Sequence, residues 1–202
     1  LKGVIFDGYI VGATMSFYEA TDTTRSNLLA TSVTDSRGDY LLPDILEQNK
    51  YYVVVSTGGL DIVLNEDVGN KSFSAIFQIG DDPYANSTNV NALTTLVEVQ
   101  VSTTIVDSGG VIETSAIETS VSDTTTTLKE NLGIAEDVDI ETNYLAIDNR
   151  TDTTLAKIHT VVNSIINVVT QTNETEETVT NGFTDAIANL ATTIASTSTG
   201  TV

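Results

Sequence analysis

The sequence contains no cysteine, no tryptophan and a single histidine in 202 residues. The missing cysteine excludes disulfides and thiol nucleophiles. Acyl transfer by another nucleophile, such as serine, needs a base beside it. Zinc hydrolysis needs at least three nitrogen, sulfur or oxygen ligands. The one imidazole, His159, lies in an apolar helical pattern between Ile158 and Thr160, where we expect a surface or packing role.

Aromatic residues are also scarce, at 6% of the chain. Glycosidases place two converging carboxylates in a cleft that usually carries aromatic platforms. Neighbouring carboxylates do occur here, for example Asp81 with Asp82 and Glu176 with Glu177. The platforms are few, however, and the chain has no GxGxxG or Walker-type loop for phosphate. We therefore predict that the protein is not an enzyme.

Basic residues number 8 against 28 acidic residues, which gives a net charge of −20. Residues 1–82 carry 12 acidic and 5 basic side chains, and residues 83–202 carry 16 and 3, so both halves are acidic. Such a surface repels phosphate backbones and anionic lipid headgroups. Nucleic acid and membrane surfaces are therefore excluded as expected partners, whereas multivalent cations are attracted.

No apolar run approaches the roughly 18 residues that span a bilayer, so we expect no direct membrane insertion. The first residues, LKGVIF, are neither an initiator methionine nor a signal peptide, and we expect a processed form or a piece of a longer protein. Four Asn-x-Ser/Thr sequons favour an extracellular location as glycosylation candidates. They are Asn70, Asn86, Asn149 and Asn173.

Residues 1–82 read as short strands separated by turns. From Tyr9 to Phe17 every odd position is apolar or small, which predicts one strand with a buried face. Asp35 and Gly38 fit the first and last positions of a type I turn. Further strands are predicted at 51–56 and 73–79, and residues 57–70 read as a loop. The pattern predicts an antiparallel β-sandwich of the immunoglobulin or transthyretin kind.

Residues 83–202 change to an apolar spacing of three and four, which predicts a helical domain of about four helices. The boundary is expected at Pro83, and Asn91 is a candidate N-cap for a helix starting at Ala92. Gly133 ends the next stripe, and Asn173 with Glu176 has the capping-box spacing. Three stripes are predicted: Ile117, Val121, Leu128 and Leu132; Leu155, Ile158, Val162, Ile165 and Val169; and Val179, Phe183, Ile187, Leu190 and Ile194. The predicted fold class is therefore α+β.

Aspartates in the predicted loops are candidate ligands for calcium, which prefers hard oxygen donors. They are Asp7, Asp22, Asp35, Asp39 and Asp61. The alternative is that Asp7 and Asp35 hydrogen-bond their own turns. Calcium is the only cofactor that the sequence suggests.

Several motifs together carry a resemblance over residues 3–97. Four motifs follow one another along the chain: Gly3, then Gly12 with Ala13, then the turn residues Thr34, Asp35, Gly38 and Tyr40, and then the strand residues Tyr52, Val53 and Val54. The chain in this respect resembles the carboxypeptidase-regulatory-like, transthyretin-related sandwich, in the form found in repeat modules of large secreted adhesin-type surface proteins of bacteria and viruses. The resemblance implies a non-catalytic module of a surface or appendage protein.

Helices rich in threonine have low intrinsic stability and need tertiary or quaternary contacts. We therefore expect a structural subunit of an extracellular or virion-surface assembly, such as a filament, sheath, surface layer or shell, whose partners are copies of itself. One alternative is an adhesin module that binds a glycan or host-surface receptor through its loops, with Tyr9, Tyr18, Tyr84 and Tyr144 as candidate contacts. Another is an accessory domain of an enzyme.

Overall fold

A computed structural model describes residues 2–69, 71–81, 88–110, 112–146, 156–157, 159–160, 163–164 and 179–196. Within these residues the chain forms antiparallel sheets and three helices, so the fold is α+β. The strands are β1 (Lys2–Val4), β2 (Ile10–Val11), β3 (Thr14–Glu19), β4 (Ala30–Val33), β5 (Asp39–Leu41), β6 (Tyr51–Thr57), β7 (Leu60–Asp61), β8 (Glu66–Asp67) and β9 (Ser74–Gln78). The helices are α1 (Ala92–Asp107), α2 (Thr114–Leu132) and α3 (Val179–Ser196).

The largest sheet has four strands in the order β4-β3-β6-β9, all antiparallel. Phe17 of β3 lies opposite Val54 of β6, and Val54 lies opposite Ala75 of β9. All three side chains are buried. β1 pairs with β5, and β2, β7 and β8 form a third, small sheet.

The opening strand is interrupted at Gly12, whose φ of 72° lies in the left-handed region that favours glycine. The prediction of one continuous strand is therefore wrong. The break reverses which positions face inward: Ile10 is buried before it, and Ala13, Met15 and Phe17 are buried after it. Tyr9 and Val11, predicted to share the buried face, are only partly buried.

The predicted turn between β4 and β5 is confirmed. The Gly38 amide donates to the Asp35 carbonyl at 3.1 Å, and Gly38 has a φ of 75°. The Asp35 carboxylate accepts hydrogen bonds from the amides of Arg37 and Asp39 at 2.7 and 3.1 Å. Because the aspartate and the amides that it binds are close in sequence, such a turn can be predicted from sequence alone.

Strand β9 is buried on both faces, although its alternating pattern predicted one buried face. Phe73, Ala75, Phe77 and Ile79 are buried as expected, and so are Ser74 and Ile76. The second face is covered because α1 packs against β9. The Ser74 carbonyl accepts a hydrogen bond from the Thr94 hydroxyl of α1 at 2.8 Å.

Helix α1 begins where the sequence predicts. Asn91 accepts hydrogen bonds from the amides of Leu93 and Thr94 at 2.8 and 3.0 Å, and the Thr94 hydroxyl accepts from the Asn91 amide. The helix is buried around most of its circumference, because it contacts β9, α2 and α3. A helix in such a position lacks a polar face, which explains its run of leucine, valine and threonine.

Two of the three predicted stripes lie on helices, α2 and α3, and burial is confirmed for part of each stripe. Val121, Leu132 and Leu190 are partly buried, and the side chains of Val179, Phe183 and Ile194 lie outside the described part of the chain. Ile117 and Leu128 of α2 are buried, and Gly133 ends that helix with a φ of 68°. Ile187 of α3 is buried against the same core. The stripe from Leu155 to Val169 and the predicted Asn173 cap lie outside the described residues. None of the described helices combines the length and apolar character of a membrane span.

The buried apolar residues form one continuous core from Ile5 to Ala191. Residues of the large sheet, of α1, α2 and α3, and Ile140 of the segment after α2 all belong to it. Pro83, the predicted boundary between two domains, lies outside the described residues, and the division at 82/83 stays a prediction.

Candidate functional site

A cleft of about 450 Å³ opens between the loop that follows β3 and the flank of α1. Six hydroxyl side chains line it: Thr23, Ser72, Ser74, Thr95, Ser102 and Thr103. Val55, Val99, Val106 and Ile187 provide apolar wall, and Arg25 and Glu98 supply the charges. The cleft thus combines an apolar wall with several convergent polar groups, as small-molecule sites do.

An ion pair between Arg25 and Glu98 lies in this cleft. The side chain of Arg25 is 21% exposed and that of Glu98 is 7% exposed. The Glu98 carboxylate also accepts hydrogen bonds from the hydroxyls of Ser102 at 2.6 Å and Ser74 at 2.9 Å. A buried charge costs free energy unless it is paired and hydrogen-bonded, and Glu98 meets both conditions.

Arg25 is positioned by its own loop. The Asp22 carboxylate accepts hydrogen bonds from the amides of Ser26 and Asn27 and from the Thr24 hydroxyl, at 3.3, 2.7 and 3.0 Å. The Arg25 guanidinium donates to the Asp22 carbonyl at 2.8 Å and to the Ser102 hydroxyl at 3.0 Å. The guanidinium is therefore held between its own loop, through Asp22, and α1, through Ser102.

The backbone of Arg25 is strained, with a φ of 53°. Among the described residues, the other non-glycine residues with positive φ are Asn49 and Asn65, a residue type that tolerates this region. Holding an arginine there costs on the order of 1 kcal/mol. Strain of this kind persists only where surrounding contacts enforce it, and here those contacts are the ion pair and the loop hydrogen bonds.

Two of the predicted calcium ligands, Asp7 and Asp61, meet at a second location. They bound a cavity of about 10 Å³ together with Glu66, Asp67 and Lys71. Burial raises the pKa of Asp7, while the nearby Lys71 ammonium lowers it and Asp61 raises it further. The Asn163 side-chain amide donates to the Asp7 carboxylate, and within the described part of the chain no hydrogen bond joins that carboxylate to its own turn.

Asp61 organises the hairpin of β7 and β8, which lies within the region predicted to be a loop. Its carboxylate accepts hydrogen bonds from the amides of Val63 and Leu64 at 2.8 and 3.0 Å, and from the amide of Gly8 at 3.1 Å. A Cβ at Gly8 would lie 2.1 Å from the Asp61 carboxylate. Glycine is therefore required for this close approach.

The remaining candidates, Asp22, Asp35 and Asp39, lie in other loops. Asp22 and Asp35 bond to their own turns, and the Asp39 carboxylate lies 3.4 Å from the Lys2 ammonium. In the part of the chain that the structure describes, no group of three or more acidic or histidine side chains is placed to hold a metal ion. Calcium binding stays a prediction.

His159 has a packing role and is 1% exposed. Its ring lies 4.3 Å from that of Tyr144 and 5.9 Å from that of Phe6, measured between centroids. Neither ring nitrogen has a hydrogen-bond partner among the described residues. Burial lowers the pKa of His159 to about 4, so the ring is neutral at pH 7. The Tyr144 hydroxyl donates to the Asp7 carbonyl at 3.0 Å.

The other candidates give a mixed outcome. Tyr9, Tyr18 and Tyr144 are partly buried, and the Arg25 guanidinium lies 6.0 Å from the centre of the Tyr18 ring. Tyr84 lies outside the described residues. So do the four candidate glycosylation sites, which are Asn70, Asn86, Asn149 and Asn173.

Sequence reasoning missed both charged residues of the cleft. The signal for Glu98 was a single carboxylate in the otherwise uncharged stretch from Ala92 to Ile105. Arg25 carried no comparable signal, because its left-handed backbone and its partner 73 positions away are visible only in the fold.

Comparisons of the chain with known protein families, with curated proteins and with solved structures found no match. The resemblance to the transthyretin-related sandwich therefore remains an expectation from sequence motifs.

Proposed function

We propose that this protein is a non-catalytic structural subunit of an extracellular or virion-surface assembly, built from copies of itself. In this proposal the large sheet and the smaller sheets pack as a sandwich of the transthyretin-related kind, followed by the helical region. The observation that carries the proposal is exposed aliphatic surface, at a hairpin tip and on two neighbouring strands, of an otherwise strongly acidic chain.

The clearest apolar surface is the tip of the β7–β8 hairpin. Ile62, Val63 and Leu64 are consecutive and are 44%, 64% and 58% exposed. The hydrogen bonds from their backbone to Asp61 fix the tip in this conformation. Consecutive exposed aliphatic residues that the fold holds rigid are typical of an interaction surface rather than of a solvated loop.

A second apolar area lies where β4 approaches β5. Val33 and Leu41 are both largely exposed, and the Leu41 amide donates to the hydroxyl of Ser32, the residue before Val33. The two side chains therefore belong to neighbouring strands. Two separate apolar areas on one chain allow contacts with more than one neighbour, which an extended assembly requires.

The net charge of −20 opposes contact between copies. Association therefore needs screening by salt or neutralisation by bound cations, because close like charges repel. Calcium is the proposed cation. The same charge favours solubility outside the cell before assembly.

Electron microscopy and light scattering of the chain in calcium, and again after dialysis against EDTA, test this proposal. We expect ordered polymers that loosen in EDTA or at low ionic strength. Val63→Glu should reduce assembly, whereas Thr119→Glu adds the same charge on an exposed helical position and serves as the control. Polymers that are unchanged by EDTA contradict the role of calcium, and equal effects of the two variants contradict the role of the hairpin tip.

A second candidate function, a module that binds a glycan or other surface ligand, is favoured by one specific observation. The cleft beside Arg25 is large enough for a small ligand and carries a charge pair that the loop after β3 holds in place. This function and self-assembly are compatible, since the cleft lining does not include the hairpin tip.

A further inference from the structure

We propose that the cleft between the loop after β3 and α1 binds a neutral, polyhydroxylated ligand of the monosaccharide class, with Arg25 as its main hydrogen-bond donor. The proposal rests on the second candidate function and does not depend on self-assembly. The size of the cleft, the direction of its hydrogen bonds and the balance of its charges support it.

The size of the cleft suits one sugar unit. Its volume of about 450 Å³ lies in the range of roughly 300–1,000 Å³ that small-molecule sites occupy. The cleft is partly open to solvent, which leaves room for the rest of a longer glycan whose terminal sugar occupies it.

Five of the six hydroxyls of the cleft already use their protons within the protein. The Ser74 and Ser102 hydroxyls donate to Glu98, and those of Ser72, Thr95 and Thr103 donate to backbone carbonyls. A hydroxyl has one proton and two lone pairs. The oxygens of Thr95 and Ser102 already accept one bond each, from the Ser74 amide and from Arg25, so each of the five oxygens keeps at least one lone pair and meets a ligand as an acceptor. A ligand rich in O–H donors therefore matches this lining.

Arg25 supplies the complementary donors. Two bonds from Nη2 go to Glu98 and Ser102, and one bond from Nη1 goes to the Asp22 carbonyl. A guanidinium has five N–H groups. One Nη1–H and the Nε–H therefore have no partner among the described residues, and they remain for the oxygens of a ligand. A sugar both donates and accepts, as this combination of groups requires.

The charges of the cleft favour a neutral ligand. Arg25 and Glu98 neutralise each other, and they are the only charged residues that line it in the part of the chain described. An anionic ligand would also meet the field of a chain with a net charge of −20. A cationic ligand would compete with Arg25 for Glu98.

The lining is also arranged before any ligand arrives. The Asp22 hydrogen bonds and the ion pair hold Arg25 in its strained backbone conformation. A site that is held in place loses less conformational entropy on binding than a mobile loop does. The contacts that enforce the strained backbone of Arg25 therefore also hold its remaining N–H groups in place for a ligand.

Two neighbouring threonines of α1 provide a matched test. Thr103 and Thr104 are both exposed, and each hydroxyl donates to the carbonyl four residues earlier. Thr103 lines the cleft, and Thr104 does not. Thr103→Trp therefore obstructs the cleft, whereas Thr104→Trp places the same side chain outside it. Both variants leave Arg25 and Glu98 unchanged.

The experiment is a titration of the amide NMR spectrum of the whole chain with glucose, galactose, mannose and N-acetylglucosamine. Glucuronate and glucosamine are the charged probes. We expect at least one neutral sugar to shift the Arg25 and Ser102 signals with a millimolar dissociation constant, and Thr103→Trp to weaken binding by about tenfold or more. Thr104→Trp should bind as the unmodified chain does.

Several outcomes would overturn the proposal. No shift with any neutral sugar, or equal weakening by both tryptophan variants, contradicts it. Binding of glucosamine alone would assign the cleft to cations through Glu98. Binding to a glycan array that persists in Thr103→Trp would place recognition elsewhere, and the second candidate function would then stand without this cleft.

Discussion

Replacing Asn91 with alanine removes two interactions that hold the start of α1 in the core. The Asn91 side-chain oxygen caps the amides of Leu93 and Thr94, and its side-chain amide donates to the Ile140 carbonyl at 3.0 Å. Asn91 is fully buried, so no water replaces either partner. The residue therefore ties α1 to the segment that follows α2.

The magnitude follows from these bonds. Loss of a helix cap costs about 1 kcal/mol, and a buried carbonyl left without a donor costs about 1–3 kcal/mol. We expect Asn91→Ala to lower the free energy of unfolding by about 2–4 kcal/mol. Asn91→Ser keeps a capping oxygen but is too short to reach Ile140, so it should lose only the second contribution.

Urea unfolding followed by circular dichroism and by tyrosine fluorescence measures these losses. Glu113→Ala is the control, because Glu113 precedes α2 without a side-chain capping bond and should change stability by less than about 0.5 kcal/mol. If Asn91→Ser is as stable as the unmodified chain, the hydrogen bond from Asn91 to the Ile140 carbonyl does not contribute to stability. If Asn91→Ala matches Glu113→Ala, the capping argument fails as well.

Three further predictions concern charge, pH and close packing. Arg25→Gln leaves the buried Glu98 carboxylate without its ion-pair partner and should lower the free energy of unfolding in urea by about 3 kcal/mol. The control, Lys2→Gln, breaks an exposed ion pair and should lower it by at most about 1 kcal/mol. Equal losses would contradict the stabilising role of the buried pair. Because burial lowers the pKa of His159 to about 4, this side chain binds fewer protons in the folded state than in the unfolded state between pH 6.5 and 4, and its contribution to stability falls as the pH drops through this window. Burial raises the pKa of Glu141 to about 7, and that contribution has the opposite sign, so the test compares the variant with the unmodified chain. Relative to the unmodified chain, His159→Phe should gain stability as the pH falls from 6.5 to 4, and an unchanged difference would count against a buried neutral ring. Gly8→Ala forces a methyl group to 2.1 Å from a carboxylate oxygen. Gly12→Ala meets no described atom within 4 Å, so its main cost is the φ of 72°. Calorimetry should therefore show a larger fall in Tm for Gly8→Ala, and the reverse order would refute the close approach.

The elements that sequence predicted correctly depend on local signals. The turn from Asp35 to Gly38, the cap at Asn91 and the end of α2 at Gly133 each involve residues within a few positions of one another. Side-chain hydrogen bonds and glycine conformations act over that range. These signals therefore locate element ends without knowledge of the fold.

The remaining features depend on distant partners. Gly12 interrupts a continuous apolar alternation, and nothing in that pattern marks the change of face. The β7–β8 hairpin has strands of two residues, which are too short for a periodic signal. Arg25 and Glu98 meet across 73 residues. Burial of both faces of β9 likewise follows from the position of α1, which alternation within β9 does not encode.

Sedimentation velocity of the whole chain over a range of protein and calcium concentrations tests the central proposal most directly. A structural subunit should form particles much larger than the 21.5 kDa chain, and their mass should rise with protein concentration and with calcium. A single species of 21.5 kDa at every protein, salt and calcium concentration would contradict the proposal that this protein builds an assembly from copies of itself.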